Sequence, residues 1–297
     1  MSDVSSYLFV GVDGGGTGCR VAIEGATGTR LAEAAGGPAN YTTDPCRATQ
    51  SVREALRAAA ADAGLSSGWS ERCIAHVGLA GVMSPEEGDA LARELYFARV
   101  TVTDDRVTSV AGALGDRDGM LAAIGTGTIV AGRTDETTRF VGGWGHDLAD
   151  QASGGWLGRK ALRRMMLAHD GVAAHTDLTR ALLAGFGGDP KAIMAFTNDA
   201  GPGDFARLAR QIIDAARAGD PMGTALMQEG AGFLHDCADS IGLEGDAVLC
   251  LAGGVGPSYA DYLNSACRAR LRPSHGTALD GALRLAREAF EKRKAPS

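Results

Sequence analysis

The apolar run Tyr7–Asp13 leads directly into Gly14-Gly15-Gly16-Thr17-Gly18. Three consecutive glycines after a buried strand force a tight turn, and the chain then doubles back. Cys19–Glu24 and Arg30–Ala35 read as two further short strands, separated by the turn signal Ala26-Thr27-Gly28. The glycines open no helix and no Gly-Lys-Ser/Thr follows, so neither a P-loop nor a dinucleotide fingerprint fits. Next come a helix over Cys46–Ala61, a strand over Ile74–Leu79, a helix over Pro85–Tyr96, a strand over Arg99–Thr103 and a helix over Val107–Leu114. The order is βββαβαβα.

The pattern then restarts. Met120–Ile124 ends in Gly125-Thr126-Gly127-Thr128 and is followed by strands Ile129–Arg133 and Thr138–Val141. A helix over Ser153–Leu167, a mostly helical stretch Leu178–Ile241, a strand Ala247–Ala252 running into Gly253-Gly254, and a helix Leu279–Phe290 complete the chain. A Gly-Thr turn after the first strand of each half predicts an α/β protein made of duplicated units, divided near Gly115–Gly119. A length of 297 residues suits two domains, each with its own core.

Composition narrows the function. With 29 Lys+Arg against 36 Asp+Glu, the net charge of −7 lacks the basic footprint of a nucleic-acid binder. No run of about 18 apolar residues exists to span a membrane, and the N-terminal segment lacks the basic n-region of a signal peptide. The six cysteines show no CxxC and no zinc spacing, which predicts buried thiols in a reducing cytoplasm.

Several short motifs carry chemistry. Around Asp13-Gly14-Gly15-Gly16-Thr17, amides without neighbouring Cβ atoms can surround a phosphate, the Thr hydroxyl can donate to it, and Asp13 can hold Mg²⁺ through water. Gly125-Thr126-Gly127-Thr128 repeats the device. Gly253-Gly254 is a third glycine turn, flat enough for a base or ribose. Asp104-Asp105 follows a strand at the edge where α/β sites collect; one acid can cap a helix while the other accepts a proton from an attacking alcohol. Gly142-Gly143-Trp144-Gly145-His146 with Asp147 and Asp150 offers carboxylates for sugar hydroxyls and an aromatic face for their C–H edges. Asn40, after Gly37-Pro38-Ala39, suits either a turn or a substrate hydroxyl.

In this order the elements resemble the sugar kinase/Hsp70/actin superfamily, and within it the BadF/BadG/BcrA/BcrD-type ATPases with the glucosamine and N-acetylglucosamine kinases. The resemblance runs from Val12-Asp13-Gly14-Gly15-Gly16-Thr17 to Asp280-Gly281-Ala282-Leu283. It implies a two-lobed actin-like (ribonuclease H-like) ATPase fold with an interdomain cleft. The first domain would span 1–115, with a C-terminal helix of about 279–297 packing back on it, and the second 116–278. It implies that Gly14–Thr17 and Gly125–Thr128 hold the phosphates of ATP–Mg²⁺ and that Gly253 and Gly254 hold its adenosine. It further implies that Asp105 is the catalytic base, that Asn40, Gly143, Trp144, Gly145 and Asp150 contact an amino sugar, and that the chain forms a homodimer. Domain closure on the sugar would exclude water.

Two departures refine the substrate. Ala149-Asp150-Gln151-Ala152-Ser153 stands where N-acetylglucosamine kinases usually show GDEGS; the Asp-Gln form, with His169-Asp170-Gly171 and His175-Thr176, resembles glucosamine kinases. The GGWGH run resembles the N-acetylglucosamine enzymes. Thr128 replaces the commoner Ser of GTGS and keeps the hydroxyl. Glucosamine is therefore the expected substrate, with N-acetylglucosamine the alternative. More remote alternatives are an acyl-CoA dehydratase activator, whose paired cysteines are missing here, a non-catalytic sugar or nucleotide sensor, and a ROK sugar kinase, whose cysteine-rich zinc motif is also missing.

Overall fold

The computed structural model describes residues 7–134 and 137–292, so the last five residues, 293–297, of the expected terminal helix of about 279–297 lie outside the described residues. The chain divides into two compact units: one runs to Asp116 and resumes at Ser274, the other is Arg117–Pro273. The return to the first unit thus comes a few residues before the last helix instead of at its start.

The first unit carries a five-stranded sheet of β1 (Leu8–Gly14), β2 (Cys19–Glu24), β3 (Arg30–Gly36), β4 (Cys73–Leu79) and β5 (Arg99–Thr103), in the order β3-β2-β1-β4-β5. The first three strands are antiparallel neighbours, while β4 and β5 join parallel to β1. Strand alternation assigns the faces. Val10 and Val12 of β1, with Cys73, Ala75, Val77 and Leu79 of β4, enter the core under α1 (Pro45–Asp62) and α2 (Pro85–Glu94), together with Val52, Leu56 and Leu91. Phe9 and Ile74 point the other way, against Leu279, Leu283 and Phe290 of α11 (Ala278–Glu291). Between these helices in sequence lies α3 (Asp105–Leu114), which also packs on α11.

The α3–α11 crossing depends on two glycines. A Cβ on Gly112 would stand 1.9 Å from the Thr277 carbonyl oxygen, and one on Gly281 would stand 2.0 Å from that of Thr108. Backbone meets backbone here, and any side chain would separate the helices. Arg287 lies 4.5 Å over the Phe9 ring and bonds Glu24 at 2.6 Å, which ties α11 to the sheet.

The second unit repeats the sheet with β6 (Gly119–Ile124), β7 (Thr128–Thr134), β8 (Thr137–Val141) and β9 (Val248–Ala252), in the order β8-β7-β6-β9. The expected repeat is incomplete. Where the first sheet has β5, a single parallel bridge joins Leu249 to Leu271, with Leu249 N donating to Arg270 O at 2.8 Å. The chain between β8 and β9 is spent on helices: α4 (Gly154–His169), α5 (Asp177–Gly185), α6 (Pro190–Asp199), α7 (Pro202–Ala206), α8 (Ala209–Arg217) and α9 (Pro221–Ile241). A short α10 (Ser265–Ala269) precedes the bridge. Trp156, Leu157 and Met165 of α4, Ile212 of α8 and Leu226 and Leu234 of α9 share this unit's core with Ile124 and Leu249.

Five of the six cysteines are buried as expected; Cys46, in the first turn of α1, is exposed. No described helix is long and apolar enough to cross a membrane.

Candidate active site

In the first unit the candidate residues gather at the C-terminal ends of the parallel strands, where α/β folds leave room for ligands. The β1–β2 turn closes through Gly15 N to Gly18 O at 2.9 Å. Gly14 is demanded by packing, since a Cβ there would stand 2.3 Å from Leu79 Cδ2. Gly15 and Gly16 face open space, and Thr17 is exposed. The turn therefore offers bare backbone and one hydroxyl to solvent, as a phosphate cradle requires. Asp13, next to last in β1, lies opposite Arg20, whose guanidinium bonds it at 2.9 Å.

Asp104 and Asp105 differ in their surroundings. Asp104 is the N-cap of α3: its Oδ1 accepts from Arg106 N at 2.9 Å and pairs with the Arg106 guanidinium. Asp105 is the first residue of the helix and is largely buried. Burial, then the nearby charges of Asp104 and Asp13, push its carboxyl up to about 7. A carboxylate held near neutrality is suited to accept a proton at physiological pH. Asn40 sits in the loop beside the end of β4, its Oδ1 accepting from Thr43 N three residues on at 3.0 Å. Gly81, in the left-handed region at φ 83°, would bring a Cβ to 2.7 Å from that same oxygen.

In the second unit Gly125 N donates to Gly127 O at 2.9 Å, while Gly125 faces open space and Thr126 is exposed. Thr128 stands apart from the other residues of this turn. It is buried and its hydroxyl donates to Gln151 O at 2.8 Å, so Thr126 presents the free hydroxyl of this turn. Gly253, at φ 80°, lies against Ile124, where a Cβ would be 2.3 Å from the carbonyl oxygen. Val255 N donates to that oxygen at 2.9 Å, so the third glycine turn rests on the second. Together Gly125, Thr126, Gly254 and Val255 line a cavity of about 580 Å³, closed by Ala209, Arg210, Ile213, Asp214 and Arg217 of α8 and by Ser258. Sequence reading had merged α8 into one long helical stretch and missed these residues. Their signal was Arg210, Asp214 and Arg217 at helical spacing, one polar face joined by ion pairs.

The sugar-loop candidates follow β8. Gly142, Gly143 and Gly145 all have positive φ, at 77°, 77° and 84°, and turn Trp144 outward, where it is 77% exposed. Asp150 lies in the left-handed region at φ 64° and Ala152 at φ 69°, both unfavourable for residues with a Cβ. This backbone is fastened at each step. Thr128 N donates to Asp150 Oδ1 at 3.2 Å, Thr128 Oγ1 holds Gln151 O, and Tyr259 OH donates to Ala152 O at 2.7 Å. Strain that is over-determined in this way is common where a side chain must be aimed, and here it joins Asp150 to the Gly125–Thr128 turn. Ser153 then caps α4, accepting from Trp156 N at 3.0 Å.

Among the described residues no group of three or more His, Cys, Asp or Glu is placed to hold a metal ion.

The chain is similar to several sugar kinases. The glucosamine kinase GspK of Vibrio cholerae is 30% identical over 281 residues, covering 94% of this chain and 95% of its own. A crystal structure of a candidate N-acetylglucosamine kinase from Chromobacterium violaceum matches with a TM-score of 0.83 at 36% identity, covering 95% of this chain and 99% of that one. A ROK hexokinase from Thermus thermophilus, 17% identical, shares the fold with a TM-score of 0.58 over 97% and 99% of the two chains. The fold is that of the two-lobed actin-like (ribonuclease H-like) ATPases. With its family profile matched across residues 10–267, the chain belongs to the BadF/BadG/BcrA/BcrD ATPase family.

Proposed function

We propose that this chain uses ATP to phosphorylate D-glucosamine, giving glucosamine 6-phosphate, with Asp105 as the base. Membership of an ATPase family with sugar kinases among its relatives makes it a phosphotransferase acting on an amino sugar. The choice of glucosamine rests on Asp150-Gln151 and on the likeness to the Vibrio cholerae enzyme over nearly the whole chain. The observation that carries the reading is Asp105 itself, a buried carboxyl lifted to about 7 beside the bare turn of Gly15 and Gly16.

The residues divide the work. Gly125, Thr126 and Gly254 line the nucleotide cavity of the second unit, Arg210 and Arg217 bringing positive charge to its wall. In the first unit Gly15, Gly16 and Thr17 offer amides and a hydroxyl to the phosphates. Asp105 orients the 6-hydroxyl and takes its proton as the oxygen attacks phosphorus; phosphoryl transfer needs such positioning more than covalent help. Asp13 would hold Mg²⁺, which would supply neutralisation of charge on the phosphates. Asn40, Trp144 and Asp150 bind the sugar.

ADP release measured with glucosamine, N-acetylglucosamine, glucose, N-acetylmannosamine and no sugar tests the proposal. Glucosamine is expected to give the highest kcat/KM. A preference for N-acetylglucosamine would favour the second reading, for which the Gly142–His146 run and the Chromobacterium violaceum likeness speak. Binding without ADP release from any sugar would leave a sensor.

A further inference from the structure

His76 is the titratable side chain on the face of β4 that carries Ile74 and Gly78, and the mechanism above makes no use of it. It is 5% exposed, on the strand face that packs against α11, with Ile74 below it and Gly78 above. Burial pushes its pKa down to about 4, so the ring is neutral. A buried imidazole needs a partner, since leaving its N–H unmet costs about 1–3 kcal/mol. It finds one on the strand that leads to Asp105.

The register shows how. His76 is aligned with Thr101 and Gly78 with Thr103. Gly78 has no side chain, and a Cβ there would stand 2.3 Å from Thr108 Oγ1. His76 reaches diagonally to Thr103, with Nε2 3.0 Å from Oγ1. The single hydroxyl proton of Thr103 goes to Asp104 O at 3.1 Å, so Oγ1 accepts from His76, which fixes the proton on Nε2. Asp104 O also accepts from Val107 N at 3.2 Å, and Asp105 O from Thr108 Oγ1 at 2.9 Å. The peptide joining Asp104 to Asp105 is thereby held from the strand side and the helix side at once.

We infer that His76 and Thr103 are positioning residues that fix the Asp104–Asp105 peptide and thereby aim the Asp105 carboxylate at the acceptor hydroxyl. This rests on the reading of Asp105 as the base. Without the Thr103 hydroxyl, Val107 N alone holds the carbonyl and the carboxylate can swing, a misplacement that costs about 10- to 100-fold in transfer. Neither His76 nor Thr103 is among the residues proposed above to hold nucleotide or sugar, so the loss belongs to kcat and not to KM.

The test compares Thr103→Val with Thr103→Ser, and His76→Phe with His76→Gln, beside Asp105→Asn, with kcat, both KM values and melting temperature measured for each. Gln carries an N–H donor near the place of Nε2; Phe carries none. T103V and H76F are expected to lose about 10- to 100-fold in kcat at KM values within about twofold of wild type, while T103S and H76Q retain most of the rate. Should T103V fail to fold, the His76 pair makes the same comparison. Wild-type turnover in T103V and H76F with an inactive D105N overturns the positioning role and leaves the base in place. Equal losses in T103V and T103S overturn it also, because the hydroxyl is then irrelevant. Near-normal turnover in D105N removes the base, and the positioning role with it.

Discussion

Replacing Asp105 by Asn should abolish catalysis and stabilise the protein, and the second effect has a pH signature. The carboxyl ordinarily titrates at 3.8 and is lifted to about 7 in the fold, first by burial and then by Asp104 and Asp13. The folded state therefore holds this proton more tightly than the unfolded state. Below 3.8 both states are protonated and the site has no effect on stability. As pH rises from 3.8 towards 7 the unfolded chain ionises freely while the folded one resists, and folding is penalised progressively. At about 1.4 kcal/mol per pH unit the full penalty above pH 7 is about 4 kcal/mol. Asn keeps the size and a polar head without the charge. D105N should then melt several degrees above wild type at pH 8, the gap closing as pH falls towards 4. Scanning calorimetry of both proteins across that range reads it directly. In the same series wild-type kcat should climb with pH through about 7 as the base ionises, and D105N should lose about 10²–10⁴-fold. Equal melting at pH 8, or a gap that does not shrink on acidification, would refute the claim that this carboxylate is held ionised against its surroundings.

Asp104→Asn keeps an oxygen to cap α3 but removes the nearest negative charge to Asp105, so the acid limb of the rate profile should move to lower pH; an unmoved limb would mean that burial alone sets the value. Gly254→Leu fills the cavity beside Thr126 at a position whose Cβ meets nothing within 4 Å, so melting should be unchanged while KM for ATP rises by about tenfold or more; unchanged KM would take the nucleotide out of that cavity. Gly281→Ala drives a methyl into the Thr108 carbonyl and should destabilise by about 3 kcal/mol or more in denaturant titration, since backbone cannot yield as a side chain can.

What the sequence made legible was whatever rests on local chemistry. Glycine turns after apolar strands, alternation in β1 and the two-acid start of α3 all follow from neighbours in the chain, and they fix the first sheet nearly residue by residue. The bond from the Thr128 hydroxyl to Gln151, more than twenty positions away, was not legible, because no local pattern records it. The missing fifth strand of the second unit and the α8 face were hidden likewise, since both depend on how a helical stretch folds over a sheet edge.

The two strained residues, Asp150 and Ala152, show why the two kinds of information must be joined. The sequence marked this segment as a departure from GDEGS, with Ala152 where the family has glycine. The structure puts Ala152 at φ 69°, fully buried, in the region glycine adopts without strain. Relief of the strain by Ala152→Gly would leave a methyl-sized void against the second unit's core, a loss comparable to the gain. Alanine can therefore persist there without a large penalty, provided that the bonds from Tyr259 and Thr128 hold the backbone. The consequence is functional: Asp150 is positioned by a loop whose conformation is imposed from the core side, not chosen by its own residues. Loosening those bonds should reach the sugar through Asp150 before it reaches the fold.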